Sequence, residues 1–270
     1  MDPTVNNLLG FLTFLFQERK LGFSSLNTAR SAVSTFSLLK RHSLGSHPLI
    51  CQFMKGVYNL KPVLPKTSFT WDTGLVLKFL QRWHPCKNLD LLQLSIKVVL
   101  LCLLITGQRG QTIWSLYLKN IKIMDNKITC SIGDVMKTTS AKRHQEPLVF
   151  DAYPHCKSLC VVHYMKQYIK RTENLRGEGE QRLFISTRPP HQGISRDTLA
   201  RWTKNGLTKS GVDMELFTPH STRGASTSRA ATKISLGTIM KTAGWRSSST
   251  FAKFYKKPIQ TEGTTVKHLL

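Results

Sequence analysis

Three stretches of this 270-residue chain set polar side chains where helices should begin, and together they could hold an anion and attack it. Thr106-Gly107-Gln108-Arg109 places an arginine just after an apolar run that reads as a buried helix, where the next helix starts. His220-Ser221-Thr222-Arg223 puts two basic side chains three residues apart, so that one helical turn aims both at a single anion. Ala243-Gly244-Trp245 is followed ten residues later by Tyr255, which Lys253, Lys256 and Lys257 surround. Singly, each has a plainer reading: a solvated arginine, a His-x-x-Arg arising in a basic protein, a half-buried aromatic with a wet hydroxyl.

Other chemistries find less support. His155, Cys156, Cys160 and His163 crowd into nine residues, but their spacing matches no zinc finger or ribbon, and a helix start with inward-packed cysteines is the expectation. No metal site is assigned. The chain has no Gly-rich phosphate loop, no paired-carboxylate site and no Gly-x-Ser-x-Gly elbow, so ATP dependence and serine hydrolysis drop out.

Composition points to the partner. Thirty-nine Lys and Arg against 15 Asp and Glu give a net charge of +24, an excess that repels itself in the compact state unless a polyanion neutralises it. The charge is not confined to a tail: residues 1–70 hold 8 basic and 2 acidic residues, and the remainder holds 31 and 13. A long basic surface facing nucleic acid follows. The 40% hydrophobic content fills a real core. Six scattered cysteines read as reduced thiols. Val98–Ile105 is the most apolar run, but Lys97 bounds it on one side and Gly107 lies just past the other, leaving it far shorter than the ~20 residues a bilayer requires, so no membrane span is expected.

The elements that must position these residues are mostly helical. Apolar residues at Val5, Leu8, Leu12 and Leu15, then at Leu26, Ala29, Val33, Phe36 and Leu39, mark one face of each of two helices, and a third is plausible around Leu49–Tyr58. Residues 61–66, Lys-Pro-Val-Leu-Pro-Lys, read as an extended basic linker. Beyond it, Asp72 is a cap candidate for a helix reaching Trp83, and a buried helix over Leu89–Thr106 ends at Gly107. Ile121, Ile123, Ile128, Cys130 and Ile132 alternate around Asp125-Asn126, a hairpin signal to which Pro147–Phe150 could add a third strand. Helices return at Cys160–Arg171, at Ser195–Asn205, and in short pieces at Thr222–Ala231, Leu236–Thr242 and Ser248–Lys256.

In this order and at these separations, Arg109, the His220-x-x-Arg223 box, Trp245 and Tyr255 resemble the motif of the tyrosine recombinase (integrase) family, and the likeness covers nearly the whole chain. Gly107-Gln108-Arg109-Gly110-Gln111-Thr112 and Ala243-Gly244-Trp245 through Phe254-Tyr255 look most like the recombinases of DIRS-type eukaryotic retrotransposons. The resemblance implies a mainly α (α+β) fold. A helical core-binding domain spans residues 1–60, a basic linker 61–70, and a catalytic domain with a small three-stranded antiparallel sheet 71–259. Residues 260–270 form a tail that could dock on a neighbouring protomer.

It also implies the chemistry: Tyr255 attacks a phosphate, Arg109 and Arg223 meet the charge that builds on its oxygens, and His220 and the nearby lysines help the phenol lose its proton. A phenol of pKa ~10 resists that loss at neutral pH by about 4 kcal/mol. Trp245 donates an indole N–H or packs. Lys137 is the candidate general acid, with Lys142 and Arg143 as competitors for that role. Lys61, Lys66, Lys142, Arg143, Lys253, Lys256 and Lys257 are candidate DNA contacts. Bond energy is conserved, so no cofactor is expected; the implied partners are double-stranded DNA and further copies of the chain as a dimer or tetramer, in a nucleus. Two features depart from the pattern: Thr112 stands where many relatives carry a carboxylate, and the step from Trp245 to Tyr255 is one residue longer than the common spacing. Two other readings remain open, a type IB topoisomerase-like enzyme and a recombinase-derived DNA-binding protein without catalysis.

Overall fold

The structure, a computed structural model, describes residues 3–36, 44–62, 67–134, 145–245 and 248–260. Two compact units divide the chain, Met1–Lys66 and Thr67–Leu270. Lys66, Lys137, Lys142, Arg143 and positions 261–270 of the tail, all singled out above, lie outside the described residues, as does the side chain of Lys253.

Among the described residues the first unit has three α-helices, α1 (Val5–Gln17), α2 (Phe23–Phe36) and α3 (Pro48–Leu60). Their spaced apolar residues meet as expected: Leu8, Leu12, Leu26, Ile50, Met54 and Val57 form one buried cluster with Leu44. Thr4 caps α1 by accepting from the Asn7 N–H at 3.2 Å. Phe36, placed by its spacing on the buried face, is instead 80% exposed, and Leu39, placed on the same face, lies outside the described residues.

The second unit opens with strand β1 (Thr70–Trp71), followed by α4 (Thr73–Arg82), α5 (Leu91–Thr106) and α6 (Gly110–Trp114). Asp72 caps α4 by accepting from the Gly74 N–H at 2.9 Å. Asp90 and Gln93 close a reciprocal capping box on α5, so that helix starts two residues later than its apolar pattern suggests. Strands β2 (Ile121–Ile123), β3 (Lys127–Cys130) and β4 (Leu148–Asp151) form an antiparallel sheet in chain order, pairing Ile123 with Ile128 and Cys130 with Leu148. Ile132 falls beyond the strand its alternation suggested. Among the described residues, five more α-helices and a strand follow: α7 (Val161–Thr172), α8 (Arg196–Lys209), α9 (Ser221–Ala230), α10 (Leu236–Ala243), α11 (Ser248–Phe254) and β5 (Ile259–Gln260).

α5 is the axle of this unit. It packs against α7, α8 and α9, and every residue from Leu94 to Leu103 is buried. At its end Gly107 takes the left-handed conformation, φ 59°, which reverses the chain toward α6. A β-carbon there would sit 2.8 Å from Thr227 Cγ2 as well as straining the backbone. Gly107→Ala should therefore lower stability by about 2 kcal/mol, a loss read as a fall in melting temperature.

Two elements were not anticipated. β1 and β5 pair in parallel, Thr70 with Ile259 and Trp71 with Gln260, so Thr70 belongs to a strand rather than to the linker, and Gln260 to a strand rather than to the tail. Lys97, taken as a polar boundary of the apolar run, lies fully buried within α5. Its ammonium donates to Leu80 O at 2.7 Å and Trp83 O at 2.6 Å, the carbonyl end of α4, and sits 3.8 Å from the Tyr164 ring centroid. Those contacts suit a cation, yet burial pulls its pKa down to about 7, against the opposing pull of the Cys86 and Cys156 thiols.

An unfolded lysine keeps its proton to near 10.4. Between about pH 7 and that value the unfolded chain binds more protons at this position than the folded one. The penalty of holding the buried ammonium, full below pH 7, fades as pH rises, so this group makes stability climb by about 1 kcal/mol per pH unit. Melting curves of the wild type and Lys97→Met across this range should diverge, with the climb absent from the variant.

None of the described helices is long and apolar enough to cross a membrane. The six cysteines are free thiols. In the His/Cys cluster, Cys156 Sγ pairs with Ser158 Oγ, Cys160 is buried and accepts from the Tyr153 N–H, and the His163 ring meets Tyr164 edge-on.

Candidate active site

The left-handed turn at Gly107 does more than end α5. Its carbonyl accepts from Arg223 Nη1 at 2.7 Å, and the next two residues lead to Arg109 at the N-cap of α6. Thr112 does not carry the carboxylate of many relatives. Its hydroxyl donates to Gln108 Oε1 at 3.4 Å, and Gln108 Nε2 donates to Thr242 O at 2.8 Å, so a neutral chain of bonds ties the start of α6 to the end of α10. Gly244, left-handed at φ 66°, then turns the chain into Trp245.

α9 presents two working faces. Toward α5 it turns Arg223, Ser226 and Thr227, with Ser226 Oγ donating to Leu104 O. Toward the β1–β5 pair it turns Ser221, Gly224 and Ser228, which recur at helical spacing. Ser221 Oγ accepts from Trp71 Nε1 at 2.8 Å and donates to Thr218 O at 2.7 Å, pinning the turn that carries His220.

Around Tyr255 the groups converge. The His220 Nε2 lies 3.5 Å from the Tyr255 hydroxyl, with the two rings near perpendicular. Trp245 stands edge-on to the Tyr255 ring at 3.9 Å between centroids, and the Arg223 guanidinium lies 4.2 Å from the Trp245 ring and 5.8 Å from that of Tyr255. Trp245 is buried with Ile239, Ala243 and Phe251, and its ring meets that of Phe251 at right angles.

Arg223 is the unusual group. It is 2% exposed, and its Nε and Nη2, like Trp245 Nε1, find no hydrogen-bond partner among the described residues. Burial first, then the positive charge of Arg109, lowers its pKa to about 10, while the Tyr255 phenol pulls it back up. At neutral pH it remains a cation. A buried guanidinium with two idle donors, beside an idle indole N–H and a phenol, is a receptor for negative charge built before that charge arrives.

Five of the six residues singled out as catalytic, Arg109, His220, Arg223, Trp245 and Tyr255, are thus brought to one place; Lys137 lies outside the described residues. Among the surface cations, Lys61 Nζ donates to Lys20 O at 3.2 Å and Lys257 Nζ to Thr67 O at 2.7 Å, so both ammonium groups are partly engaged by their own unit. Lys256 is exposed. Sequence reasoning missed Gln108, Trp71 and Ser228; only the recurrence of small residues at positions 221, 224 and 228 hinted at a second face of α9.

Helices arranged around α5, with a three-stranded antiparallel sheet beside them, make the tyrosine recombinase catalytic fold. Residues 79–261, more than half of the chain, match the phage integrase family, and the chain belongs to that family. No curated protein sequence matches it closely enough to be named. Among solved structures it is similar to the XerH site-specific recombinase bound to palindromic difH substrate in a post-cleavage complex, with TM-score 0.62, 15% identity, and coverage of 95% of this chain and 70% of that one. It is also similar to the Tn1549 transposon integrase in complex with transposon right end DNA, with TM-score 0.59, 14% identity, and coverage of 93% and 80%. A lambda integrase dimer bound to a COC' core site aligns with TM-score 0.51 and 18% identity, covering 94% and 80%. At these identities the likeness is one of fold.

Proposed function

We propose that this protein is a site-specific DNA recombinase that cuts and rejoins strands through a 3'-phosphotyrosyl intermediate, serving the integration of a mobile element. The observation that carries the proposal is the pair of idle Arg223 donors and the idle Trp245 N–H gathered beside Tyr255. In the proposed step the Tyr255 oxygen forms a bond to phosphorus as the bond from phosphorus to the 5'-oxygen breaks. The phenolic proton passes to His220, and the departing 5'-oxygen takes a proton from Lys137 or from its neighbours Lys142 and Arg143. Negative charge on the non-bridging oxygens meets Arg223, Arg109 and Trp245. Rejoining runs the same exchange backwards from a free 5'-hydroxyl.

The chain's excess of 24 positive charges supports double-stranded DNA as the partner. A lambda integrase dimer bound to a core site and a lambda integrase tetramer bound to a Holliday junction support a dimer or tetramer on DNA, in which the tail beyond Gln260 docks on a neighbouring protomer. The motifs around Arg109 and Trp245 support an element of the DIRS type, acting in a eukaryotic nucleus.

The test needs no knowledge of the target. The full chain is incubated with a pool of nicked duplexes of randomised sequence, with and without a metal chelator, then denatured, and DNA still attached to protein is sequenced. Recovery of one enriched sequence in both arms is the expected result. Binding without covalent attachment would leave a non-catalytic DNA-binding protein. Relaxation of supercoiled plasmids of any sequence would point to a topoisomerase.

A further inference from the structure

The segment that carries Tyr255 is short and would be loose if held only by its own helix. α11 ends at Phe254, and the backbone N–H groups of Tyr255 and Lys256 both donate to Phe251 O. Immediately beyond, one side chain from another element closes over the turn. Ser228, buried on α9, donates its hydroxyl to the Tyr255 carbonyl and accepts from the Lys257 N–H at 3.1 Å. Its one donor and one of its acceptor positions are therefore spent on the two residues that flank Lys256. A turn further back on the same face of α9, Gly224 lies beside the Tyr255 ring, its would-be β-carbon 3.8 Å from Cδ1. The same helix carries Arg223, and its N-cap is His220.

We infer that Ser228 is a positioning residue: it locks the Tyr255 backbone to the helix that bears Arg223, so that the attacking oxygen and the groups that receive phosphate charge move as one body. The inference rests on the recombinase reading. A hydroxyl suits the task because it donates and accepts at once, which neither alanine nor a cysteine thiol does with comparable strength. Since misplacement of a reacting atom by about 1 Å costs on the order of 10²-fold in rate, loss of this tie should appear in the cleavage step and not in DNA binding.

The experiment is single-turnover formation of the covalent adduct on a nicked duplex recovered from the selection above. Wild type is compared with Ser228→Ala, Ser228→Cys, Ser228→Thr and the control Ser95→Ala. Ser95 is a buried α5 residue whose hydroxyl donates to Leu91 O, twelve residues before the turn at Gly107. Duplex binding and melting temperature are measured for each. Ser228→Ala and Ser228→Cys should bind the duplex as wild type does and form adduct about ten- to a hundred-fold more slowly, Ser228→Thr should restore most of the rate, and the control should cleave normally. Cysteine fills the space that alanine would leave empty, so it carries the test if the alanine variant does not fold. Normal cleavage by Ser228→Ala or Ser228→Cys, or Ser228→Thr as slow as either, would overturn the inference while the wild-type adduct left the recombinase reading standing. Absence of adduct from the wild type would strike the recombinase reading itself.

Discussion

Tyr255→Phe should form no covalent adduct with DNA, while its binding to the same duplex stays at the wild-type level. The substitution removes one oxygen and keeps the ring, so the edge-on contact with Trp245 survives, and so does the packing of Trp245 on Phe251. What is lost is the atom 3.5 Å from His220 Nε2. A single neutral hydroxyl contributes little to an association dominated by phosphate contacts spread over a chain of net charge +24. The two readouts therefore separate completely: denaturing electrophoresis shows no shifted species, and a native binding isotherm is unmoved. An adduct formed by Tyr255→Phe would mean that another residue attacks, and the roles given to His220 and Arg223 would fall with it.

The second large effect concerns Arg223. Arg223→Lys keeps the charge but replaces a planar fork with a point charge on a shorter-reaching head group. Its three donors all leave one nitrogen, so an ammonium that holds the Gly107 carbonyl cannot spread the others over the positions of the guanidinium fork, and cleavage should fall by about 10²–10³-fold. Binding should change little, because one phosphate contact among many alters the salt dependence by only about one ion. Arg223→Met should abolish cleavage and melt no lower than wild type in the absence of DNA. The guanidinium is nearly sealed from water with two donors idle, and its pKa, pulled down to about 10, records how burial opposes the charge. Replacing an incompletely satisfied buried cation by an apolar side chain of similar length removes that burden. A melting temperature for Arg223→Met well below that of wild type would show instead that the bond to Gly107 is what Arg223 chiefly supplies.

Much of this architecture was legible because its signals are periodic or chemical. The spacing of Leu8, Leu12 and Leu26 marked helices whose buried faces meet, Asp72 and Gly107 marked a start and a stop, and Asp125-Asn126 marked the hairpin. The site was legible to the extent that His220, Arg223 and Tyr255 are rare groups in a telling order. Strands β1 and β5 were not, since two residues give no alternation to read and the pairing joins opposite ends of the unit. Lys97 misled because a charged residue normally bounds an apolar run; what permits it inside is a pair of carbonyls at the end of a different helix that accept from its ammonium. The recurrence at 221, 224 and 228 did not single out Ser228 because, in a helix rich in serine and threonine, only the three-dimensional partner distinguishes one hydroxyl from the next.

The β1–β5 pairing has a consequence for when the molecule can act as well as for how. Its partners are separated by nearly the entire second unit, and Thr70 N–H also bonds to the Pro258 carbonyl, three residues beyond the phenol. A contact of such high sequence separation forms only after the intervening chain has been made and folded, and on a ribosome adding about 5–20 residues per second that leaves seconds in which β1 waits alone. A nascent chain can thus fold the α5 axle, and assemble Arg109 beside Arg223, while its proposed nucleophile is still absent or untethered. On the proposed function, the pairing that fixes this segment also completes the site, so strand cleavage is withheld from a chain that has not yet reached β5.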